Sequence, residues 1–512
     1  MGNFITKAIA RLAAFAYGLF TLFLYGYLAT RRGTFFKKRT ERQNLELQLG
    51  KSIIFESSLF IFFQQSGRIQ KRSVFTDTGG SIARDRLWNL TKDYAGLSHY
   101  FLTLQSGFKF HFMSNAAPGS ASALASDRPL VIFIHGFPDS WAIWRHIASS
   151  SSLQSSANLV AIDLPGYGGS ESLEKYTATA VLEKLTELII TLRAQYGVDE
   201  GTQTNKKRVI IVAHDWGCVL SMRLAAEAPS LAQRFILSNG PLMSLAGSNV
   251  RRMLTSASKM FNTALGAPLS SRAPLLQALR TLGPLLRQLK MSGYVFAMQL
   301  PPTLVTYFLT GGNYSLMAGI HKGSHGRGEF TPSDEGTSMA SSMGPSLAES
   351  KTQTANGDSY PTTIKYTHNF ANVLNMAGYY RDGASVSRWR KSLETVANLH
   401  SIASGPELRR ANSGAGLLDE STPGALQASS TVFWGKQDIA LNPQICLDGM
   451  ADYLVADSQV VMLTESGHFT PIEQESRVAL VKAVEWAVNG EKGDIGTVVQ
   501  ECYPSAKVIA RR

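Results

Sequence analysis

The feature that most constrains this chain is a series of short apolar runs, each ending in a loop built of Gly, Pro, Asp or His. They read "PLVIFIHGFPDSW", "NLVAIDLPGYGGS", "RVIIVAHDWG", "RFILSNGP", "STVFWGKQD" and "SQVVMLTESGHF". Each is rich in β-branched residues, and helical periods such as Ala178 to Tyr196 separate several of them. Buried runs alternating with helices require a largely parallel sheet covered on both faces. Such sheets carry their chemistry at the C-terminal ends of the strands, where the polar motifs stand here. The preceding "HYFLTLQSGFKFHFM" alternates about a Ser-Gly turn and predicts a hairpin at the sheet edge.

The alternation stops between about 242 and 428. That interval holds helix-like stretches, "RAPLLQALRTLGPLLRQLKM" among them. It also holds two low-complexity pieces, Ser324 to Ser359 and Ser404 to Ser430, whose Ser, Gly and Pro content predicts mobile loops. The expected organisation is an N-terminal region over 1–95, a first core part over 96–241, a helical cap over 242–428 and a second core part over 429–512.

Charge is distributed unevenly. Residues 1–90 hold fourteen Lys/Arg and five Asp/Glu, so +9 of the net +12 lies there. The excess therefore belongs to the N-terminus, and nucleic acid is not expected as a partner. Leu12 to Thr30 is nineteen residues without a charge. At about 1.5 Å per residue it reaches roughly 28 Å, the thickness of a hydrocarbon core. A single transmembrane helix is expected, with Tyr25 and Tyr27 at the interface and lipid as its partner.

Lys7 and Arg11 precede the span, while Arg31, Arg32, Lys37, Lys38, Arg39 and Arg42 follow it. The positive-inside rule then puts the C-terminal side in the cytosol, and the endoplasmic reticulum is the expected membrane. "MGNFIT" fits the pattern for myristoylation of Gly2 and argues the opposite orientation; the charges outweigh so short a pattern. Three cysteines in 512 residues agree with a reducing compartment. "SIIFESSLFIFF", Ser52 to Phe63, is too short for a second span and reads as a docking or membrane-surface segment.

Within "VIIVAHDWGCVLSMRLA", Asp215 stands on a turn between an apolar run and a helix. The frame Ala213-x-Asp215-x-Gly217 is a nucleophile elbow with Asp where G-x-S-x-G has Ser. The helix dipole there favours an ionised carboxylate. An acid and a histidine follow in the required order, Asp438 after "FWGKQ" and His468 in "ESGHFTP". Asn239, at the other strand end where an acid could stand, offers none. "HGFPDSW" supplies the backbone N–H of Phe137, which pairs with that of Trp216 as an oxyanion hole. His135 and Gly136 shape that loop, "DLPGYGGS" is a structural turn, and His214 is expected to point away from the pocket.

A serine attacking an sp³ carbon would leave an ether. A carboxylate leaves an ester, which water activated by His and Asp can hydrolyse. An Asp nucleophile therefore points to displacement at a saturated carbon.

"HGFPDSW", "HDWG", "WGKQD" and "GHFTPIE" resemble the epoxide hydrolases of the α/β-hydrolase superfamily, over about 98–242 and 428–490. The resemblance implies an α/β-hydrolase fold that opens a small, hydrophobic epoxide to a vicinal diol without cofactor or metal. It also implies two cap tyrosines that hold the epoxide oxygen. "SGYVFAMQLPP" maps the first to Tyr294, and "LNMAGYYRD" maps the second to Tyr380, with Tyr379 as the substitute. "SNGPLM" and the large cap depart from the family pattern. A haloalkane dehalogenase shares the triad but needs a donor side chain where Phe137 stands. A non-catalytic, membrane-anchored protein of the same fold is the remaining alternative.

Overall fold

The structure is a computed structural model that describes residues 2–31, 82–199, 207–266, 272–366, 372–402 and 422–512. Ser52 to Phe63 and most of Ser404 to Ser430 lie outside these residues.

A nine-stranded sheet has the order β1-β2-β4-β3-β5-β6-β7-β8-β9. The edge hairpin is β1 (Ser98–Thr103) and β2 (Lys109–Ser114), turned at Gly107 with φ 79°. The parallel centre comprises β3 (Leu130–Ile134), β4 (Asn158–Ile162), β5 (Val209–His214), β6 (Arg234–Ser238), β7 (Ser430–Gly435) and β8 (Gln459–Leu463). Every residue of β3 to β7 is buried, as strands covered on both faces must be. β9 (Lys507–Arg511) closes the far edge antiparallel to β8.

From β3 the chain moves to β4 on one side and later to β5 on the other. The direction of strand addition thus reverses beside β3, and a crevice opens at the C-terminal ends of β3 and β5. Phe137 and Asp215 lie just past those ends.

The N-terminal helix α1 (Gly2–Arg31) contains one stretch, Ala8–Arg31, long and apolar enough to cross a membrane. A short helix, α2 (Ile82–Trp88), leads into the core. Two further helices flank the sheet: α3 (Ala178–Gln195), capped by the Thr177 hydroxyl, and α4 (Trp216–Glu227), which follows the Asp215 turn.

Between β6 and β7 the described residues hold no strand. Met243–Gly266 (α5) and Arg272–Met291 (α6) form a helical pair. Gly293–Ala297 (α7), Pro302–Ser324 (α8), Pro332–Met343 (α9) and Asn372–Arg381 (α10) follow.

Two features differ from expectation. The Ser324 to Ser359 piece is not a loop throughout, because α9 is a buried helix there. Thr331 and Asp334 make a reciprocal capping box at its start. Its small residues then let the backbone approach the core closely. The Trp88 indole donates to Ala340 O at 2.8 Å, and the Ser342 hydroxyl meets His321 Nε2 at 2.9 Å.

The second difference concerns α1, which is docked on the cap. A Cβ at Gly18 would lie 2.6 Å from Phe296 O, so glycine permits the contact. Tyr17 meets Phe296 edge-on, and Tyr25 meets Phe308 likewise.

Candidate active site

Asp215 adopts φ 51° and ψ −117°, a conformation that costs a non-glycine residue about 1–3 kcal/mol. Its side chain caps nothing, which removes the simplest structural explanation for an acid at this position. The strain turns the carboxylate towards the loop after β3. Phe137 N–H donates to Asp215 Oδ1 at 2.6 Å. Gly136 makes the approach possible, since a Cβ there would lie 2.3 Å from Asp215 Oδ1 and 2.5 Å from the Trp216 nitrogen. The Phe137 amide thus meets the carboxylate, and the Trp216 nitrogen lies close to the same loop at Gly136.

On the other side stands His468. Its Nε2 is 3.5 Å from Asp215 Oδ2, and its Nδ1 lies 2.8 Å from Asp438 Oδ2. The other Asp438 oxygen accepts the N–H groups of Ala440 at 2.7 Å and Leu441 at 2.9 Å, which fix its rotamer. His468 and Asp438 are both buried. Burial alone would lower the imidazolium pKa, but the Asp438 and Asp215 carboxylates outweigh it and raise it to about 10. Burial would likewise raise the Asp215 pKa, but His468, His214 and the Phe137 amide hold it below the usual carboxylate value. The resting pair is an imidazolium between two carboxylates.

The structure brings two tyrosines to this centre. Tyr380 meets Trp216 at a ring distance of 4.9 Å, Phe137 at 5.6 Å and Tyr294 at 5.8 Å. Their segments are pinned together: Arg381 Nη1 donates to Met298 O at 2.9 Å, and Gln299 Nε2 donates to Tyr380 O at 2.6 Å. Burial raises both phenol pKa values, and the Asp215 charge adds to this, so both hydroxyls keep their protons. The Tyr379 ring also lies against Trp216, at 5.6 Å, but its hydroxyl is committed to Pro165 O at 2.9 Å.

His135 joins the loop of Gly136 to the Leu164 amide, which donates to His135 Nε2 at 2.9 Å. Asp163 accepts from His111 Nδ1, the Trp141 amide and the Gly169 amide, binding "DLPGYGGS" as a turn. His214 lies behind the site, with Nε2 donating to His468 O at 2.8 Å.

Three supports escaped the sequence reading. Asn239, with φ 47°, donates through Nδ2 to Asp438 Oδ2 at 2.8 Å. Glu473 accepts from the amides of Gly467 at 2.7 Å and Phe469 at 3.1 Å, holding the loop of His468 from both sides. Asp139 lies buried beside the oxyanion loop and accepts from the Ser341 hydroxyl at 3.3 Å. Only positive φ at the end of β6 could have signalled Asn239, and a sequence does not display φ.

A family model for the alpha/beta hydrolase fold matches residues 129–317. Mouse epoxide hydrolase 3 is 32% identical over 158 residues, which cover 29% of this chain and 37% of the relative. Rat bifunctional epoxide hydrolase 2 is 29% identical over 150 residues, covering 29% of this chain and 23% of the relative. The matched part thus spans only about a quarter to little more than a third of these relatives' length. Among solved structures, a Bacillus megaterium epoxide hydrolase aligns with TM-score 0.43 and 21% identity, over 76% of this chain and 99% of that one. The sheet and the matched residues are those of an α/β-hydrolase fold, and over its first core part the chain is similar in sequence to epoxide hydrolases.

Proposed function

We propose that this chain opens epoxides to vicinal diols through a covalent ester on Asp215. One observation carries the reading: the Asp215 carboxylate lies between His468 and the Phe137 backbone amide, on a strained elbow. That is the arrangement for a nucleophile whose ester must afterwards be hydrolysed.

In the first step a carboxylate oxygen of Asp215 attacks a ring carbon and the C–O bond of the epoxide breaks. The oxygen leaves as an alkoxide and takes a proton from Tyr294 or Tyr380. Esterification removes one of the two negative charges that keep His468 protonated. The imidazolium pKa falls, and the proton that His468 releases replaces the one lost by tyrosine. Neutral His468 is then the base. It takes a proton from water while the oxygen attacks the ester carbonyl, and the amides of Phe137 and Trp216 hold the oxyanion. Collapse expels the diol alkoxide, which takes the carboxyl proton. Ionised Asp215 and protonated His468 are restored.

The aromatic surround of Phe137, Trp216, Tyr294 and Tyr380 favours a hydrophobic epoxide. The apolar Ala8–Arg31 stretch is read as a single-pass anchor, with the catalytic part in the cytosol and the endoplasmic reticulum as the membrane. The sequons at Asn89 and Asn313 give a check, since glycosidase-sensitive mass on either would reverse that orientation.

The deciding experiment is a single turnover in ¹⁸O-water. Label should enter the Asp215 carboxylate and the first diol should be unlabelled. In His468→Gln, one substrate mass should stay on the peptide containing Asp215. Label in that first diol, with no adduct in the variant, would make Asp215 a base and not a nucleophile.

A further inference from the structure

The α5–α6 pair carries a surface that the catalytic reading does not use. Along α6, Leu275, Leu279, Leu282, Leu286 and Leu289 recur at alternating intervals of four and three. At about 100° per residue they form one stripe roughly 80° wide. A buried stripe would be ordinary. Here Leu279 is 51% exposed and Leu286 62%, while the helix packs inward through Ala278 at the edge of the stripe away from its basic flank.

Charge on the pair has one sign. From Met243 to Met291 there are seven Lys/Arg and no Asp or Glu. On the helical projection Arg272, Arg280, Arg287 and Lys290 fall along one flank of the leucine stripe. This is the pattern of a helix lying in a membrane interface, with apolar residues down and basic residues among headgroups.

The stripe also continues into a second apolar surface. The Tyr17 hydroxyl of α1 donates to Leu289 O at 2.9 Å, at the C-terminal end of α6. Phe23 of α1, one of its outward residues, is 73% exposed.

We infer that the leucine stripe of α6 enters an anionic lipid bilayer together with α1, which stays docked on the cap through Tyr17, Gly18 and Tyr25, so that cap and α1 are seated in the membrane as one face. The inference rests on the reading of α1 as a membrane helix. A second copy of the chain fits this face less well. Pairing two such stripes would set Arg and Lys against Arg and Lys, with no acid to offset them. Pro284 also interrupts the straight run that a paired helix would need.

Nitroxide labels on the full chain test this. Leu279→Cys, Leu286→Cys, Phe23→Cys and Ile509→Cys are each made in a Cys502→Ser background, since Cys218 and Cys446 are buried. The chains are reconstituted in vesicles of phosphatidylcholine with phosphatidylserine. Labels at 279, 286 and 23 should relax with oxygen and resist a water-soluble nickel chelate, with the opposite preference at 509. Omitting phosphatidylserine, or adding Arg280→Glu with Arg287→Glu, should reduce that contrast at 286 and leave it at 23.

Aqueous behaviour at 279 and 286 with immersion at 23 would overturn the inference and leave the anchor standing. Aqueous behaviour at 23 as well would overturn the anchor. Dipolar broadening at 279 would assign the face to a second copy.

Discussion

Asn239 and His468 donate to the same oxygen, Asp438 Oδ2, each at 2.8 Å. The Asp438 carboxylate is thus held from two sides, and its second oxygen accepts two backbone amides. A carboxylate so fixed orients one imidazole tautomer. Hydrogen bonds to charged groups are worth about 1.5–3 kcal/mol, roughly tenfold or more in rate if the transition state feels the whole loss. Asn239→Gly removes the donor and tolerates φ 47°. It should slow ester hydrolysis by about tenfold and leave alkylation of Asp215 nearly unchanged in rapid-quench kinetics. An equal loss in both steps would show that Asn239 supports the fold and not the base.

The tyrosines separate by where their hydroxyls go. Tyr379 is buried with its hydroxyl on Pro165 O, whereas Tyr380 packs against Trp216, Phe137 and Tyr294. Tyr294→Phe and Tyr380→Phe should each slow alkylation by about 10² to 10⁴, the usual worth of general acid assistance. Tyr379→Phe should lose about 1 kcal/mol of stability and keep the alkylation rate. Single-turnover kinetics decide this. A larger loss in Tyr379→Phe than in Tyr380→Phe would reverse the assignment.

The parallel core was legible because strands buried on both faces must be apolar throughout, as "VIIVAH" is. Asp215, Asp438 and His468 stood out as candidates because each follows such a run, and the structure brings the three side chains together. Other parts left no such trace. β9 is short, and although its burial alternates, its sequence Lys-Val-Ile-Ala-Arg does not, because Ile509 faces out at the edge. The docking of α1 on the cap turns on a glycine, Gly18, inside a run whose composition reports only that it is apolar. In α9 only Met339 and Met343 are ordinary core residues; the other packed residues are Gly, Thr, Ser and Ala, in a Ser-rich stretch that composition assigns to loops. Their burial comes from close backbone approach to the core.

That approach is testable at Ala340, which is buried and receives the Trp88 indole on its carbonyl. Ala340→Leu inserts three carbons into a packed contact. Overpacking of this kind costs about 1–3 kcal/mol. Thermal unfolding should report that loss, while Ala340→Gly should cost about 1 kcal/mol through helix propensity. A neutral Ala340→Leu would mean that α9 packs loosely, as a low-complexity segment would.

The coupled charges of Asp215 and His468 give a pH test with opposite signs at the two ends. The His468 pKa stands at about 10 against an ordinary 6.5, raised by Asp438 and Asp215 against the burial that lowers it. The folded state therefore binds this proton more tightly than the unfolded chain. Its contribution to stability is fully present below pH 6.5 and is lost as pH rises from there through about 10. Asp215 is shifted the other way: burial opposes its ionisation, but His468, His214 and the Phe137 amide prevail and lower its pKa. Its contribution is present above pH 3.8 and disappears as pH falls through its lowered value. The unfolding temperature of the full chain in detergent should therefore fall between pH 6.5 and 10, and His468→Gln should flatten that fall. Asp215→Asn should flatten it in part, because one of the two carboxylates that hold the proton is gone. That substitution copies the charge change of esterification. If the imidazolium relaxes in Asp215→Asn, the same relaxation frees His468 as a base in the alkyl-enzyme. Parallel curves for wild type and both variants would show that His468 is not held protonated, and the proton cycle proposed for the two half-reactions would fail.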